Sequence, residues 1–172
     1  MAPDFGFEVP VSVSDNFKQP TLLLYLAILR IVVGYHFVSV ALPKLEQGFT
    51  RGQELPAQLM RTIGSDPFGW HREFITGFVV PHSSFFSYLV PYGELAIGVS
   101  LLMGCLVRFS SLFGAFHNLN ILLAIAIPSG GANVAINAIF IALHVVFVLA
   151  SAGRVLGIDC LLKRAFSRSW LF

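Results

Sequence analysis

The sequence has too few charged residues for an ordinary soluble protein. Only 12% of its 172 residues are Asp, Glu, Lys or Arg, whereas 56% are hydrophobic. A soluble domain usually carries about a quarter charged residues. A lipid bilayer accounts for the difference, because apolar side chains are stable there when exposed. We therefore interpret the chain as a membrane protein in contact with the lipid bilayer.

The chain also lacks the features of several functional classes. Its formal charge is +2 and it has no long basic run, which argues against a nucleic-acid partner. Its two cysteines, Cys105 and Cys160, lie far apart without CxxC or metal-ligand spacing. We interpret them as ordinary thiols and predict no metal site. No motif for flavin or an iron–sulfur cluster is present, so such groups would have to come from a partner.

Four apolar runs predict four transmembrane helices, because each has about the length needed to cross a bilayer. They cover residues 21–42, 84–107, 111–127 and 133–152. The first run is too long for the apolar region of a signal peptide and contains Arg30, so we expect it to be retained. The predicted fold class is all-α, an integral membrane four-helix bundle.

The long segment 43–83 between the first two runs is mixed in composition and is predicted to be an outer loop. Leu55, Leu59 and Ile63 recur at helical spacing and predict a short amphipathic helix. Trp70 and Phe74 recur similarly and suit a second short helix at the membrane interface, where Trp is favoured. The outer loop is therefore expected to contain short interfacial helices.

The distribution of Lys and Arg predicts the orientation. Residues 1–20, residues 153–172 and the turn at Arg108 together hold six Lys or Arg, against four in the long loop and none in the turn at Pro128. Because cytoplasmic segments carry the excess of these residues, both termini are predicted to be cytoplasmic tails. The long loop then faces outward.

Two charged residues at bilayer depth call for a partner or a function. Counting about 1.5 Å per residue from the cytoplasmic ends, Arg30 lies roughly 13 Å deep and Glu94 roughly 20 Å. An extended Arg side chain spans this difference, so we predict that Arg30 pairs with Glu94. Such a pair either only locks the bundle together or takes part in function, and burial alone does not separate the two.

Polar residues on the third and fourth spans predict a polar lining inside the bundle. His117 and His144 lie at similar depth, about 12 Å from the cytoplasmic ends. Asn120 shares a helix face with His117, and Asn137 shares one with His144. The candidate catalytic residues are therefore Arg30, Glu94, His117 and His144. The candidate cofactor-binding residues are His117, Asn120, Asn137 and His144.

Three interpretations of this lining remain open. The two histidines at equal depth could ligate a b-type haem, although two histidines in four helices are a weak coincidence. Alternatively, His, Arg and Glu side chains could hydrogen-bond a quinone and carry its protons, a task suited to histidine. Each residue could also form interhelical hydrogen bonds without any chemistry.

Short motifs along the chain carry a resemblance to a known family. They are Leu29-Arg30-Ile31-Val32-Val33-Gly34 with Pro43-Lys44, Gly93-Glu94-Leu95-Ala96-Ile97-Gly98 with Arg108, Asn118-Leu119-Asn120, and Gly153-Arg154-Val155-Leu156-Gly157-Ile158-Asp159. In this order they resemble the DoxX family of membrane proteins, over roughly residues 21–162. The resemblance implies a compact four-helix membrane domain, and we expect a multi-pass protein of the prokaryotic cytoplasmic (inner) membrane.

The resemblance also implies possible functions. One branch of the family, DoxD, is the small subunit of thiosulfate:quinone oxidoreductase, and other members are membrane partners of thiol-handling enzymes or accessory subunits. The residues that match motif positions are Arg30, Lys44, Glu94, Arg108, Arg154 and Asp159. The leading hypothesis is a subunit linked to quinone-dependent oxidation of sulfur compounds or thiols. The alternative is a non-catalytic accessory or assembly subunit, with other subunits or further copies of the chain as partners.

Overall fold

Four helices of this chain are long and apolar enough to cross a membrane. The computed structural model describes residues 20–166 and 169. The helices are α1 (Pro20–Glu46), α4 (Ser83–Met103), α5 (Val107–Ile121) and α6 (Ala132–Ala150). Helix α5 is continued by a π-helical turn (Leu122–Ala126) and a last α-helical turn (Ile127–Ser129). The all-α membrane bundle is therefore confirmed. The predicted N-terminal tail, apart from Pro20, and residues 167, 168 and 170–172 of the predicted C-terminal tail lie outside the described residues.

Helix α1 extends beyond the apolar run that predicted it. It passes through Pro43 and ends at Glu46, four residues later than expected. A proline lacks the N–H of the helical ladder, yet this one is tolerated near the end of a long helix. As a consequence Lys44 belongs to a transmembrane helix rather than to the loop.

The turn between α4 and α5 lies earlier than expected. Helix α4 ends at Met103, and Gly104 adopts a left-handed conformation with φ of 65°. Glycine favours this conformation at helix C-termini because it has no Cβ. Helix α5 then begins at Val107. The turn therefore covers residues 104–106, and Arg108 is inside the first turn of α5.

Close contact between α1 and α4 depends on small residues. A Cβ at Gly34 would lie 2.9 Å from the carbonyl oxygen of Gly98, and a Cβ at Gly98 would lie 2.9 Å from that of Gly34. Both positions thus require glycine for the backbones to approach this closely. Helices α5 and α6 form the second main pair of the bundle.

The long loop folds over one end of the bundle. It contains α2 (Glu54–Thr62) and α3 (Gly69–Phe74), and a π-helical turn at Ile75–Val79 continues α3. Its buried side chains form one apolar cluster with α5: Phe49, Leu55, Leu59, Ile63, Ile75, Val79 and Ala124. A second cluster, which includes Val33, Phe37, Leu101 and Phe147, fills the space between the long helices.

The opposite end of the bundle is closed by the segment after α6. A short 3₁₀ turn (Ala152–Arg154) leads to α7 (Asp159–Ala165). The backbone N–H of Asp159 donates to the carbonyl oxygen of Gly104 at 2.9 Å. The C-terminal segment is therefore attached directly to the turn between α4 and α5.

Candidate functional site

Glu94 is buried inside the bundle and has two charged or chargeable partners. Its side chain is only 3% exposed, at the middle of α4. Its Oε1 accepts a hydrogen bond from Lys44 Nζ at 2.5 Å and lies 2.9 Å from His117 Nε2. A buried carboxylate is stable only when it is paired or neutralised, and these contacts from α1 and α5 supply the pairing.

The inward face of α4 positions Glu94. Ser87, Pro91, Glu94 and Gly98 follow at intervals of four, three and four residues, and all four are buried. This spacing returns side chains to the same helix face. Pro91 has no N–H, so the carbonyl of Ser87 receives no helical hydrogen bond from that position. The face that carries Glu94 is therefore unusually rich in polar groups.

Some of these buried polar atoms have no partner within the described residues. They are Glu94 Oε2 and the hydroxyl of Ser87. Nearly all buried polar groups in folded proteins form hydrogen bonds with protein or ordered water. These two atoms are therefore available to a ligand or to internal water.

His144 is fully buried on α6 and contacts the same aromatic ring, Phe37, as His117. Neither of its ring nitrogens has a hydrogen-bond partner in the described part of the chain. The ring packs so closely on α5 that a Cβ at Gly114 would overlap it. The Phe37 ring contacts both histidines, with centroids 5.3 Å from His144 and 6.1 Å from His117. Glu94, Lys44, His117 and His144 are hereafter the Glu94 site.

The partly exposed members of the Glu94 site define its accessible edge. The side chain of Lys44 is 27% exposed and that of His117 is 19% exposed, whereas Glu94 lies behind them. If His117 Nε2–H donates to Glu94, Nδ1 is the nitrogen that accepts a proton. The arrangement can therefore pass a proton between the accessible edge and the buried carboxylate.

The predicted pair of Arg30 with Glu94 is wrong. Arg30 is fully buried, and its guanidinium donates to the carbonyl oxygens of Ala152 at 3.3 Å and Leu156 at 2.8 Å. It lies against Gly104, ten residues from Glu94 and therefore about 15 Å away along α4. The depth estimate failed because it set the ends of α1 and α4 level, whereas Arg30, ten residues into α1, packs beside Gly104, just past the end of α4. The segment after α6 folds back there and supplies the carbonyl partners.

Asp159 completes a structural cluster around Arg30. Its carboxylate accepts hydrogen bonds from the backbone N–H groups of Leu106 at 2.7 Å and Val107 at 3.0 Å. Those N–H groups begin α5, so the carboxylate both caps the helix and complements its dipole. The negative charge of Asp159 also attracts the guanidinium of Arg30. The Gly-Arg-x-x-Gly-x-Asp motif is thus explained by helix capping and by the room that glycine leaves for the guanidinium.

The two candidate asparagines bond mainly to their own helices. Asn137 Nδ2 donates to the carbonyl of Asn133 at 2.8 Å, and Asn120 Nδ2 donates to that of Phe116 at 2.8 Å. The Oδ1 atom of Asn120 faces the loop, where His71 Nε2 lies 3.4 Å away. Cofactor binding by Asn120 and Asn137 stays a prediction.

Sequence reasoning missed three polar residues of interest. Lys44 matched a motif position, but its partner was hidden because Pro43 was read as the end of the helix. Asp66 and His71, which bond to each other in the loop, gave no signal of their burial. The contact of His71 with Asn120 joins positions 49 residues apart, which no local pattern reveals.

The two thiols lie near the Arg30 end of the bundle. Cys105 and Cys160 are both free and half-buried. Burial raises the pKa of the Cys105 thiol, and the negative charge of Asp159 raises it further. A raised pKa lowers the thiolate fraction at neutral pH and makes the thiol less reactive. Among the described residues, no group of three or more His, Cys, Asp or Glu is arranged to hold a metal ion.

Comparison with known proteins identifies the family. The DoxX family model matches residues 25–127, which is more than half of the chain. The chain belongs to the DoxX family. No curated protein and no solved structure matches it. The region shared with the DoxX model contains Lys44, Glu94 and His117, whereas His144 and the Asp159 cap lie beyond its end.

Proposed function

We propose that this DoxX protein is the membrane subunit of a quinone-linked oxidoreductase that acts on sulfur compounds or thiols. The observation that carries the proposal is the buried Glu94 carboxylate, shared between Lys44 and His117 at bilayer depth. Ionisable groups at this depth are costly and mark functional sites by default. A site that handles protons inside the membrane suits a quinone, because a quinone takes up protons when it is reduced there.

The chemistry of the Glu94 site fits the polar head of a quinone. Quinone carbonyl oxygens accept hydrogen bonds. The donors at the accessible edge of the site are the ammonium group of Lys44 and, when it carries a second proton, Nδ1 of His117. Glu94 behind them holds the lysine and the imidazole in position and accepts a proton in turn. The aromatic ring of Phe37, which contacts both histidines, offers an apolar wall.

Electrons and protons have separate sources in this proposal. Reduction of a quinone consumes two electrons and two protons. We assign the electrons to a partner subunit, for example one that oxidises two thiols to a disulfide. The protons pass through the Glu94 site. The chain would lie in the prokaryotic cytoplasmic membrane with both termini cytoplasmic and the long loop outside, as the Lys and Arg distribution favours.

Gentle purification tests this function. The unmodified protein is extracted in mild detergent, and mass spectrometry identifies the quinones and proteins that copurify. We expect bound quinone in the unmodified protein and in Tyr92→Phe, a matched control on the exposed face of α4, but much less in Glu94→Gln. Thiol- or thiosulfate-dependent quinone reduction by the copurified complex should follow the same order. Equal quinone content in all three proteins would contradict the proposal.

A second candidate is a non-catalytic accessory or assembly subunit. The exposed surface of α6 favours this candidate. Only 11% of the most apolar stretch of α6 is buried inside the bundle, whereas the buried share is 33% to 39% in the other three long helices. Such a face suits lipid, a partner helix or a second copy of the chain. Stoichiometric partners in the purified complex, together with full activity in Glu94→Gln, would support this candidate.

A further inference from the structure

A buried acid–histidine pair in the long loop is not explained by the proposed function. Asp66 and His71 are 1% and 2% exposed, and the carboxylate of Asp66 bonds to His71 Nδ1. Asp66 also accepts the backbone N–H of Phe68 at 2.9 Å, which fixes its orientation. Burial of two titratable groups in a loop is expensive unless they are paired, as these are.

The hydrogen-bond pattern assigns the proton content of this pair. Asn120 Nδ2 donates to the carbonyl of Phe116, so the oxygen of Asn120 faces His71 Nε2. Both nitrogens of His71 therefore face acceptors. Both donate only in the imidazolium form, unless Asp66 itself carries the shared proton. This arrangement suits a pair that shares one additional proton.

The pair lies between the loop surface and the Glu94 site. Residues 67–70 are exposed and cover it from outside. Its contact, Asn120, is nine residues before Ser129, hence about 14 Å along α5 from the end of that helix. One turn further in, on the same face of α5, His117 bonds to Glu94. Polar side chains thus follow one another from the loop to Glu94: the Asp66–His71 pair, Asn120, His117 and Glu94 itself.

We propose that Asp66 and His71 form a proton-loading site that supplies the Glu94 site from the side of the membrane that carries the long loop. His71 gives its Nε2 proton, through a water beside Asn120, to Nδ1 of His117. His117 then gives its Nε2 proton to Glu94. The imidazole ring then turns over so that its unprotonated nitrogen faces Asp66, through which it recovers a proton from solvent on the loop side. Charge therefore balances and no electron moves.

Arg72 and two aromatic rings surround the pair. Arg72 donates to the backbone carbonyl of Asp66 at 2.9 Å and brings a positive charge close to the pair. The other neighbours are the rings of Trp70 and Phe74, with centroids 5.4 Å and 6.4 Å from that of His71.

The competing explanation is that the pair only attaches the loop to α5. Two measurements on the full-length protein in lipid nanodiscs or vesicles separate the explanations. Neither measurement requires quinone, so a negative result here is distinguishable from failure of the proposed function. Only the use of the delivered proton, in quinone reduction, rests on that proposed function. The variants are His71→Asn, Asp66→Asn and, as a matched control, His82→Asn, which removes an exposed loop histidine.

The first measurement is ¹⁵N NMR of histidine side chains at neutral pH in the unmodified protein. We expect a signal with the extra proton shared between His71 and Asp66, absent in His71→Asn and changed to a neutral imidazole in Asp66→Asn. A neutral His71 beside an ionised Asp66 would overturn the proposal. The result that would overturn the proposal is observed in the unmodified protein and so does not depend on how well the variants fold.

The second measurement follows proton arrival at Glu94 and His117 by time-resolved infrared spectroscopy after release of a caged proton outside vesicles. The vesicles are sorted so that the long loop faces outward. We expect His71→Asn and Asp66→Asn to slow arrival roughly a hundredfold, the low end of what a positioned proton-transfer group contributes. His82→Asn should match the unmodified protein. Unchanged rates in the first two variants would show a structural attachment and overturn the proposal.

Discussion

Lys44 donates a hydrogen bond to Glu94 across 2.5 Å, and the two residues come from the antiparallel helices α1 and α4. This contact, rather than one between Arg30 and Glu94, neutralises the carboxylate within the membrane. It also brings a cation from the loop end of α1 to the middle of α4. Stability and function are therefore both expected to depend on it.

Removal of one partner of this pair should be more damaging than removal of both. Lys44→Met leaves Glu94 with His117 alone and should lower the free energy of unfolding by about 3 kcal/mol, because an uncompensated buried charge is costly. The double variant Lys44→Met with Glu94→Leu should recover most of this loss. Reversible denaturant unfolding in detergent micelles measures both. Additive losses in the double variant would contradict the pairing.

Gly114 should be intolerant of a side chain because the His144 ring occupies the space beside it. Gly114→Ala is expected to destabilise the protein by about 1–3 kcal/mol, the usual cost of overpacking. Gly93→Ala is the matched control, since a Cβ there meets nothing within 4 Å. Thermal unfolding compares the two. A Gly114→Ala protein as stable as the Gly93→Ala protein would disprove the close packing of α5 on α6.

Arg30 is expected to matter for stability and not for the chemistry of the Glu94 site. Arg30→Lys loses the fork of donors that reaches the carbonyls of Ala152 and Leu156, because an ammonium is a point charge on a flexible stem. The unfolding temperature should fall, while quinone binding per folded molecule should stay unchanged. Loss of quinone binding at full stability would instead assign Arg30 to the site.

The reactivity of Cys105 should depend on pH and on Asp159. Burial and the nearby carboxylate raise the pKa of this thiol, so its thiolate forms only at higher pH than in an exposed cysteine. In a Cys160→Ser background, the alkylation rate should therefore rise late with pH. Asp159→Asn should lower the pKa and increase the rate at a fixed pH. An alkylation profile that is unaffected by Asp159→Asn would exclude this electrostatic influence.

The fold was predictable because lipid imposes a simple pattern on sequence. Four apolar runs of bilayer length can form only helices that satisfy their own backbone hydrogen bonds. The helix ends were less predictable. Pro43 did not end α1, and the left-handed Gly104 ended α4 earlier than hydropathy suggested. The wrong partner for Glu94 came instead from setting the ends of α1 and α4 level, because α1 runs about ten residues past the end of α4.

The site was predictable only in part, because its members come from separate helices. Burial cost alone singled out Glu94, and helix periodicity brought His117 and His144 toward the bundle interior. Contact between helices is a tertiary property, so neither Lys44 over Glu94 nor His71 against Asn120 was expected. The Arg30 cluster was missed for the same reason, since its partners follow α6 by sequence but lie beside α4.

Equilibrium binding of a short-chain quinone to the protein in nanodiscs tests the central claim most directly. Loss of one hydrogen bond to a charged group is worth about 1.5–3 kcal/mol. His117→Asn removes a group that bonds the quinone, and Glu94→Gln removes the carboxylate that positions Lys44 and His117, so each should weaken binding roughly tenfold to a hundredfold. Tyr92→Phe should bind as the unmodified protein does. This result would establish the Glu94 site as the place where the quinone head is held. A protein that does not bind quinone, or variants that all bind equally, would contradict the account.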